Sequence, residues 1–286
     1  MPARRYMQLD VFACSAGAGN PLAVVFDAQD MDEAAMQRFA NWTNLSETIF
    51  FLPPTTSAAD YRIRIFTPTL ELPFAGHPSV GAAWAALDAG LARDRDGRLV
   101  QECAAGLLPV RIARRDGISV PSVRSPRAQP RAVVAPDWLD AARIWGAPRG
   151  TLPPALWNNG PDWWLLELAD EAAVRTLQPD LAAIAALPAG KLAVFAAADE
   201  GDAHLVVRAF APGVGIAEDP ATGSANASIA TLLHQHGRLP GRDGRYLASQ
   251  GRELGRNAQL ELHIDADGQA WVGGQVQAPL RGTLDW

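Results

Sequence analysis

Apolar positions along the chain recur first in runs of strand length and then in small-residue stretches with helical spacing. Met7-Gln8-Leu9-Asp10-Val11-Phe12 and Leu22-Ala23-Val24-Val25-Phe26 read as two strands, joined through the loop Ser15 to Gly19 and the step Asn20-Pro21, so a hairpin is predicted. Asp30-Met31-Asp32-Glu33 has capping-box spacing, and Ala35, Met36, Phe39, Ala40 and Thr43 follow at helical intervals to about Asn44. Residues 45–52 read as a strand with Glu47 at its mouth. Tyr61-Arg62-Ile63-Arg64-Ile65-Phe66 alternates like a half-exposed strand and is broken by Thr67-Pro68. A helix is predicted from His77-Pro78 to the stop at Gly90, and strand-like runs at residues 98–103 and 108–113 close this half.

The same order of elements repeats. Phe66-Thr67-Pro68 lies over Phe210-Ala211-Pro212 at an offset of 144 residues, with Arg64 over Arg208. Past a two-residue gap, the expected pairs are His77-Pro78 over Asp219-Pro220 and Gly81 over Gly223. Gly19-Asn20-Pro21 lies near Asn159-Gly160-Pro161, each followed by an apolar strand. A duplication of this kind implies two similar halves packed about a pseudo-twofold, with both helix starts turned to one cleft. The polar, proline-rich residues 121–136 read as the linker, which gives an N-terminal half 1–122 and a C-terminal half 123–286 whose final strand can return to the first. Aligning Phe50 with Phe195 sets Glu47 opposite Leu192, so the acid belongs to one half and is not explained by the repeat.

Glu218-Asp219-Pro220-Ala221-Thr222-Gly223-Ser224-Ala225 concentrates an acid, a proline and small residues where a helix is about to start. Proline at the first helical position loses no bond, and Asp219 before it is a favoured N-cap. The small first turn leaves the N–H groups of Gly223 and Ser224 to an anion of carboxylate size, favoured by the helix dipole.

Composition narrows the function. The chain has 286 residues, 48% hydrophobic and 20% charged, which suffices for two domains with their own cores. A net charge of −6 without a Lys/Arg cluster gives no footprint for nucleic acid or an anionic membrane, and every apolar run is cut well before membrane-spanning length. Two cysteines, Cys14 and Cys103, are too few for a disulfide framework, and no signal-peptide pattern opens the chain, so a cytoplasmic enzyme is expected. The only lysine is Lys191, in a segment without a phosphate-binding signature, which disfavours a Schiff-base cofactor such as pyridoxal phosphate. The glycines after the first strand lack the third glycine and the following helix of a dinucleotide loop. The histidines 204, 234, 236 and 263 have no partners at metal spacing, so neither cofactor nor metal is expected.

Glu47, between Ser46 and Ile49-Phe50-Phe51-Leu52, sits where burial raises a carboxylate pKa toward the range in which it both takes and gives a proton. A lone Glu at a strand start is more often solvated surface than a site; Asp219 alone reads as a cap, and His77 as a cap or a satisfied core group. The duplication that would gather His77 and Asp219 at one cleft favours a site.

Gly19-Asn20-Pro21, Asn44-Leu45-Ser46-Glu47-Thr48, Phe66-Thr67-Pro68 with Glu71-Leu72-Pro73-Phe74-Ala75-Gly76-His77-Pro78, the 218–225 stretch, and Gln250-Gly251 to Gly255-Arg256 together resemble the PhzF-like (phenazine-biosynthesis) isomerase family over almost the whole chain. The resemblance implies an α+β, diaminopimelate-epimerase-like fold: two pseudo-symmetric domains, each a curved, mostly antiparallel sheet wrapped round a central helix, usually as a homodimer. It further implies that Glu47 moves the proton, that His77 and Asp219 assist, and that Ser46, Gly76, Gly223 and Ser224 bind a small carboxylate substrate without a cofactor. The loop at residues 14–18 and Trp42 depart from the family pattern. An amino-acid racemase or epimerase and a non-catalytic ligand-binding protein are the alternatives.

Overall fold

The structure, a computed structural model, describes residues 3–199 and 201–286, and its contacts cluster into two units: residues 1–124 with 273–286, and residues 125–272. In the first unit β1 (Ala3–Val11) pairs antiparallel with β2 (Asn20–Val25) and with the C-terminal strand Val276–Asp285. After α1 (Glu33–Thr43), β3 (Glu47–Leu52) runs parallel to β2 and antiparallel to β4 (Tyr61–Phe66). β4 also pairs with the short β5 (Glu71–Leu72). Then come α2 (Gly76–Asp88) and the ladder β6 (Arg98–Cys103), β7 (Gly106–Arg115) and β8 (Ile118–Arg124), with β6 parallel to β4.

α2 touches β1, β2, β3, β4, β6 and β8, so the sheet surrounds it. The sequence permits this because small residues face every direction: Ser79, Gly81, Ala82, Ala83, Ala85 and Ala86 are all buried. A Cβ on Gly81 would lie 2.4 Å from the Leu22 side chain and 3.0 Å from that of Val11, so glycine sets how closely helix and sheet approach. α1 instead buries one stripe, Met36, Phe39 and Ala40, against Val25, Phe50 and Phe66. Each fully buried aromatic there contributes about 1.5–3 kcal/mol over exposure. Asp32 caps α1 by accepting from the Ala35 amide at 2.7 Å, and Asn44 ends it in the left-handed region, φ 52°.

The second unit opens with short pieces, β9 (Gln129–Pro130), α3 (Asp137–Asp140), β10 (Arg143–Ile144) and β11 (Ala147–Pro148). The repeat follows. β12 (Ala155–Asn158) pairs antiparallel with β13 (Asp162–Glu167), as β1 does with β2. After α4 (Glu171–Thr176) and α5 (Leu181–Ala185), β14 (Leu192–Ala197) runs parallel to β13 and antiparallel to β15 (Leu205–Ala211), which pairs with β16 (Ile216–Asp219). α6 (Gly223–Gln235) is buried along most of its length, and β17 (Arg245–Gln250), β18 (Ala258–Ile264) and β19 (Ala270–Gly273) close the series.

Register corrects the repeat alignment. Arg64 stands opposite Phe50 and Arg208 opposite Val194, so the offset of 144 runs through the strands and Glu47 matches Lys191 rather than Leu192. From β5 onward the offset is 147. Arg64 grips Glu71 through Nε and Nη2, and Arg208 grips Glu218 through the same two atoms. Leu72 therefore matches Asp219, Pro73 matches Pro220, and the helix starts Gly76-His77 and Gly223-Ser224 coincide. The pairing of His77-Pro78 with Asp219-Pro220 is incorrect because Pro78 lies inside α2 whereas Pro220 precedes α6. The 121–136 stretch also starts as a strand rather than a linker. Pro121 faces Ile112, whose own amide donates to Gly97 O at 2.8 Å, so the proline removes no bond of the β7–β8 ladder.

Candidate functional site

In the first unit Glu47 is the first residue of β3, placed there by the left-handed end of α1 at Asn44, and His77 lies in the first turn of α2. The parallel β2–β3 register sets Glu47 beside Leu22, the residue that packs against α2 at Gly81. Nδ1 of His77 and Oε2 of Glu47 are 3.1 Å apart, with the side chains 5% and 19% exposed. Ser46 donates its hydroxyl to Asn20 Oδ1 at 3.3 Å, and Gly76 is the first residue of α2.

The electrostatics reverse one expectation. Burial pushes the Glu47 carboxyl up, but the hydrogen bond and charge of His77, with the Ser46 hydroxyl, outweigh it and hold Glu47 below the usual carboxylate value of 4.5. Glu47 is thus ionised and ready to accept a proton. Nε2 of His77 is buried with no partner among the described residues. An unsatisfied buried group of this kind costs about 1–3 kcal/mol.

In the second unit Asp219 ends β16 and does not cap α6. The helix begins three residues after Pro220's predecessor would require, at Gly223, with Thr222 as its N-cap residue. The Thr222 hydroxyl turns back and donates to Asp219 Oδ2 at 2.5 Å. Gln250, fully buried, explains the delay: Oε1 accepts from the Thr222 amide at 3.1 Å and from Asn226 Nδ2 at 2.9 Å, while Nε2 donates to Asp219 O at 2.8 Å. That clamp holds residues 219–222 extended. The α6 ladder starts with Asn226 N donating to Thr222 O at 3.1 Å, so the amides of Gly223 and Ser224 head the helix. Ser224 Oγ accepts from Trp163 Nε1 at 3.0 Å, and Ser224 O accepts from Asn159 Nδ2 at 2.8 Å.

The candidates therefore fall into two groups: Ser46, Glu47, Gly76 and His77 around the start of α2, and Asp219, Gly223 and Ser224 around the start of α6. Sequence reading did not single out Asn159 and Trp163, whose contacts depend on folding, or the clamping role of Gln250. The glycine loop after β1 has an internal occupant, since Asp10, 3% exposed, accepts from the amides of Gly17 at 2.7 Å and Gly19 at 3.0 Å. Those amides are spent on a carboxylate of the chain itself. Among the described residues no group of three or more His, Cys, Asp or Glu could share a metal ion, and no helix is long and apolar enough to cross a membrane.

Residues 9–277 match the family described as phenazine biosynthesis-like protein. The chain belongs to that family. It is 38% identical over 267 residues to the trans-2,3-dihydro-3-hydroxyanthranilate isomerase of Pseudomonas aeruginosa, covering 93% of this chain and 92% of the relative. Its relatives with a named activity place it among isomerases. A PhzF-family protein from Bacillus anthracis superposes over the full length of both chains with a TM-score of 0.87 at 21% identity, which shows the fold. A hydroxyproline epimerase from Agrobacterium vitis shares that fold at a TM-score of 0.65 and 14% identity, covering 99% of this chain and 92% of the other. The architecture is α+β and epimerase-like, with two pseudo-symmetric units.

Proposed function

We propose that this family member is a cofactor-independent isomerase that moves a proton on a small carboxylate substrate, with Glu47 as general acid and base. The observation that carries the reading is the buried Glu47–His77 pair: an ionised carboxylate at the end of a strand, fixed at 3.1 Å from an imidazole whose other nitrogen is unsatisfied. Glu47 removes a proton next to an activated carbon, holds it, and returns it to a second carbon, which one carboxylate manages when both carbons lie on the same face of the substrate. His77 orients Glu47 and meets the substrate through Nε2. Ser46 and Gly76 contribute substrate contacts beside them in the first unit, and the family resemblance makes Asp219, Gly223 and Ser224 the candidate substrate-binding groups of the second. The activity of the Pseudomonas relative supports the proton-moving chemistry and suggests a cyclic amino-carboxylate as substrate. The family resemblance supports a homodimer, and a chain with two cysteines and no disulfide framework suits the cytoplasm.

A two-thiol racemase is not favoured. Neither helix start, Gly76-His77 or Gly223-Ser224, carries a cysteine, and burial pushes the Cys103 thiol above its usual range. The test is incubation in heavy water with trans-2,3-dihydro-3-hydroxyanthranilate and a panel of small cyclic and amino-acid carboxylates. Migration of a double bond with deuterium at the receiving carbon is expected for at least one compound. Inversion at a single carbon would select the epimerase reading, and no isomer and no deuterium from any compound would select a binding protein.

A further inference from the structure

Lys191, the only lysine in the sequence, directly precedes β14 and matches by register Glu47, the first residue of β3 in the first unit. Thr48 faces Phe66 and Leu192 faces Phe210, so the residue before each is the same structural position. The partners of these positions also correspond. Glu47 touches His77, the second residue of α2, and the second residue of α6 is Ser224. The corresponding pair of positions in the second unit is therefore Lys191 and Ser224.

The surroundings agree. Nζ of Lys191 lies 5.7 Å from the centre of the Trp163 ring, and that indole donates to Ser224 Oγ at 3.0 Å. Since an indole N–H can only donate, the Ser224 hydroxyl keeps its own proton for a further acceptor. The ammonium is partly buried and has no ion-pair partner among the described residues. The acid whose charge acts on it, Asp162, accepts at Oδ1 from Asn158 Nδ2 at 2.7 Å and from Arg131 Nε at 3.3 Å. Burial pushes the lysine pKa down, a penalty that a bound anion would relieve. A separate feature of the same helix start also asks for a ligand. Asn159, 2% exposed, uses Nδ2 on Ser224 O but leaves Oδ1 buried without a partner among the described residues, an acceptor suited to an N–H or O–H of a bound molecule.

We infer that Lys191 is a specificity-determining residue that binds the carboxylate of a substrate carrying a neighbouring amino or hydroxyl group, together with the Ser224 hydroxyl at the start of α6. This rests on the reading of the protein as an isomerase of small carboxylates and names the group that selects them. The repeat thus places opposite charges at one structural position: a proton carrier in one unit and an anion receptor in the other.

Because the chain has one lysine, protein labelled with [ε-13C]lysine gives a single side-chain resonance. Titration with anthranilate should shift that resonance saturably and raise the pKa it reports, whereas aniline, which lacks the carboxylate, should leave it unchanged. By calorimetry Lys191→Met should bind anthranilate about tenfold or more weakly, the size expected for losing a charge-assisted hydrogen bond, while Lys191→Arg retains most of the affinity. No saturable response of the resonance to anthranilate, or an unchanged dissociation constant in Lys191→Met, overturns the inference. The two readings fail separately: a lysine response without proton exchange on any substrate removes the isomerase, and proton exchange that survives Lys191→Met with unchanged KM removes the lysine.

Discussion

His77 holds Glu47 by a contact of 3.1 Å between Nδ1 and Oε2 while its own Nε2 stays buried and unsatisfied among the described residues. This relationship decides the charge of the acid. Without the imidazole, burial would dominate and raise the carboxyl pKa; with it, the net direction is downward.

Glu47→Gln keeps the shape of the side chain and removes the proton carrier. Turnover should fall by roughly 10²-fold or more, the usual contribution of a general acid or base, with a near-native circular dichroism spectrum and unchanged binding of a carboxylate inhibitor. Turnover that persists in the Gln variant removes Glu47 from the chemistry.

The sign of the pH dependence follows from the lowered pKa of Glu47. Its ionised form persists below the usual value of 4.5, so the acid limb of kcat/KM should lie below that pH. His77→Asn removes the partner that outweighs burial, so the limb should move upward. Stability follows the same sign. The folded-state pKa is depressed, so the Glu47 contribution is complete above the unfolded value and is lost as pH falls through the folded one. An acid limb that does not move in His77→Asn would show that His77 does not set the protonation of Glu47.

The repeated arginine–glutamate pair should matter more in the second unit. The Arg208 and Glu218 side chains are 7% and 10% exposed, against 21% and 26% for Arg64 and Glu71, and Arg208 also donates to the carbonyls of Val174 and Leu177. Arg208→Leu strands a buried carboxylate and two carbonyls, a loss of about 3–5 kcal/mol. Arg64→Leu should cost less, because water reaches its partners. Urea unfolding of the two variants checks the order, and equal losses would contradict it.

Cys14 is exposed and Cys103 buried, and neither belongs to the groups around α2 and α6. Thiol reagents should label Cys14 first and leave activity intact, and Cys14→Ser should be silent. Inactivation that parallels labelling and is blocked by substrate would return the thiol mechanism.

Much of this fold could be read along the chain because its signals are local. The strands around Glu47 and Arg208, the acidic start of α1 at residues 30–33, where the cap proved to be Asp32 and not Asp30, and the small-residue character of α2 and α6 are statements about neighbouring residues, and each side chain carries its own propensity. The duplication was visible for the same reason, since Phe66-Thr67-Pro68 and Phe210-Ala211-Pro212 keep their order and spacing. What lay beyond the sequence was registry through space. Pro78 and Pro220 look alike in a string of letters, but only the pairing of β15 with β16 and the grip of Arg208 on Glu218 show that Pro220 corresponds to Pro73. The match of Lys191 to Glu47 rests on the same registry, because a gap in an alignment is free to move whereas hydrogen-bonded strands are not. The tertiary structure also settled the charge of Glu47. Apolar neighbours along the chain indicate desolvation, but the opposing terms come from His77, thirty residues away in sequence and 3.1 Å away in space. A pKa is a balance of distances, and distances are fixed only once the chain has folded.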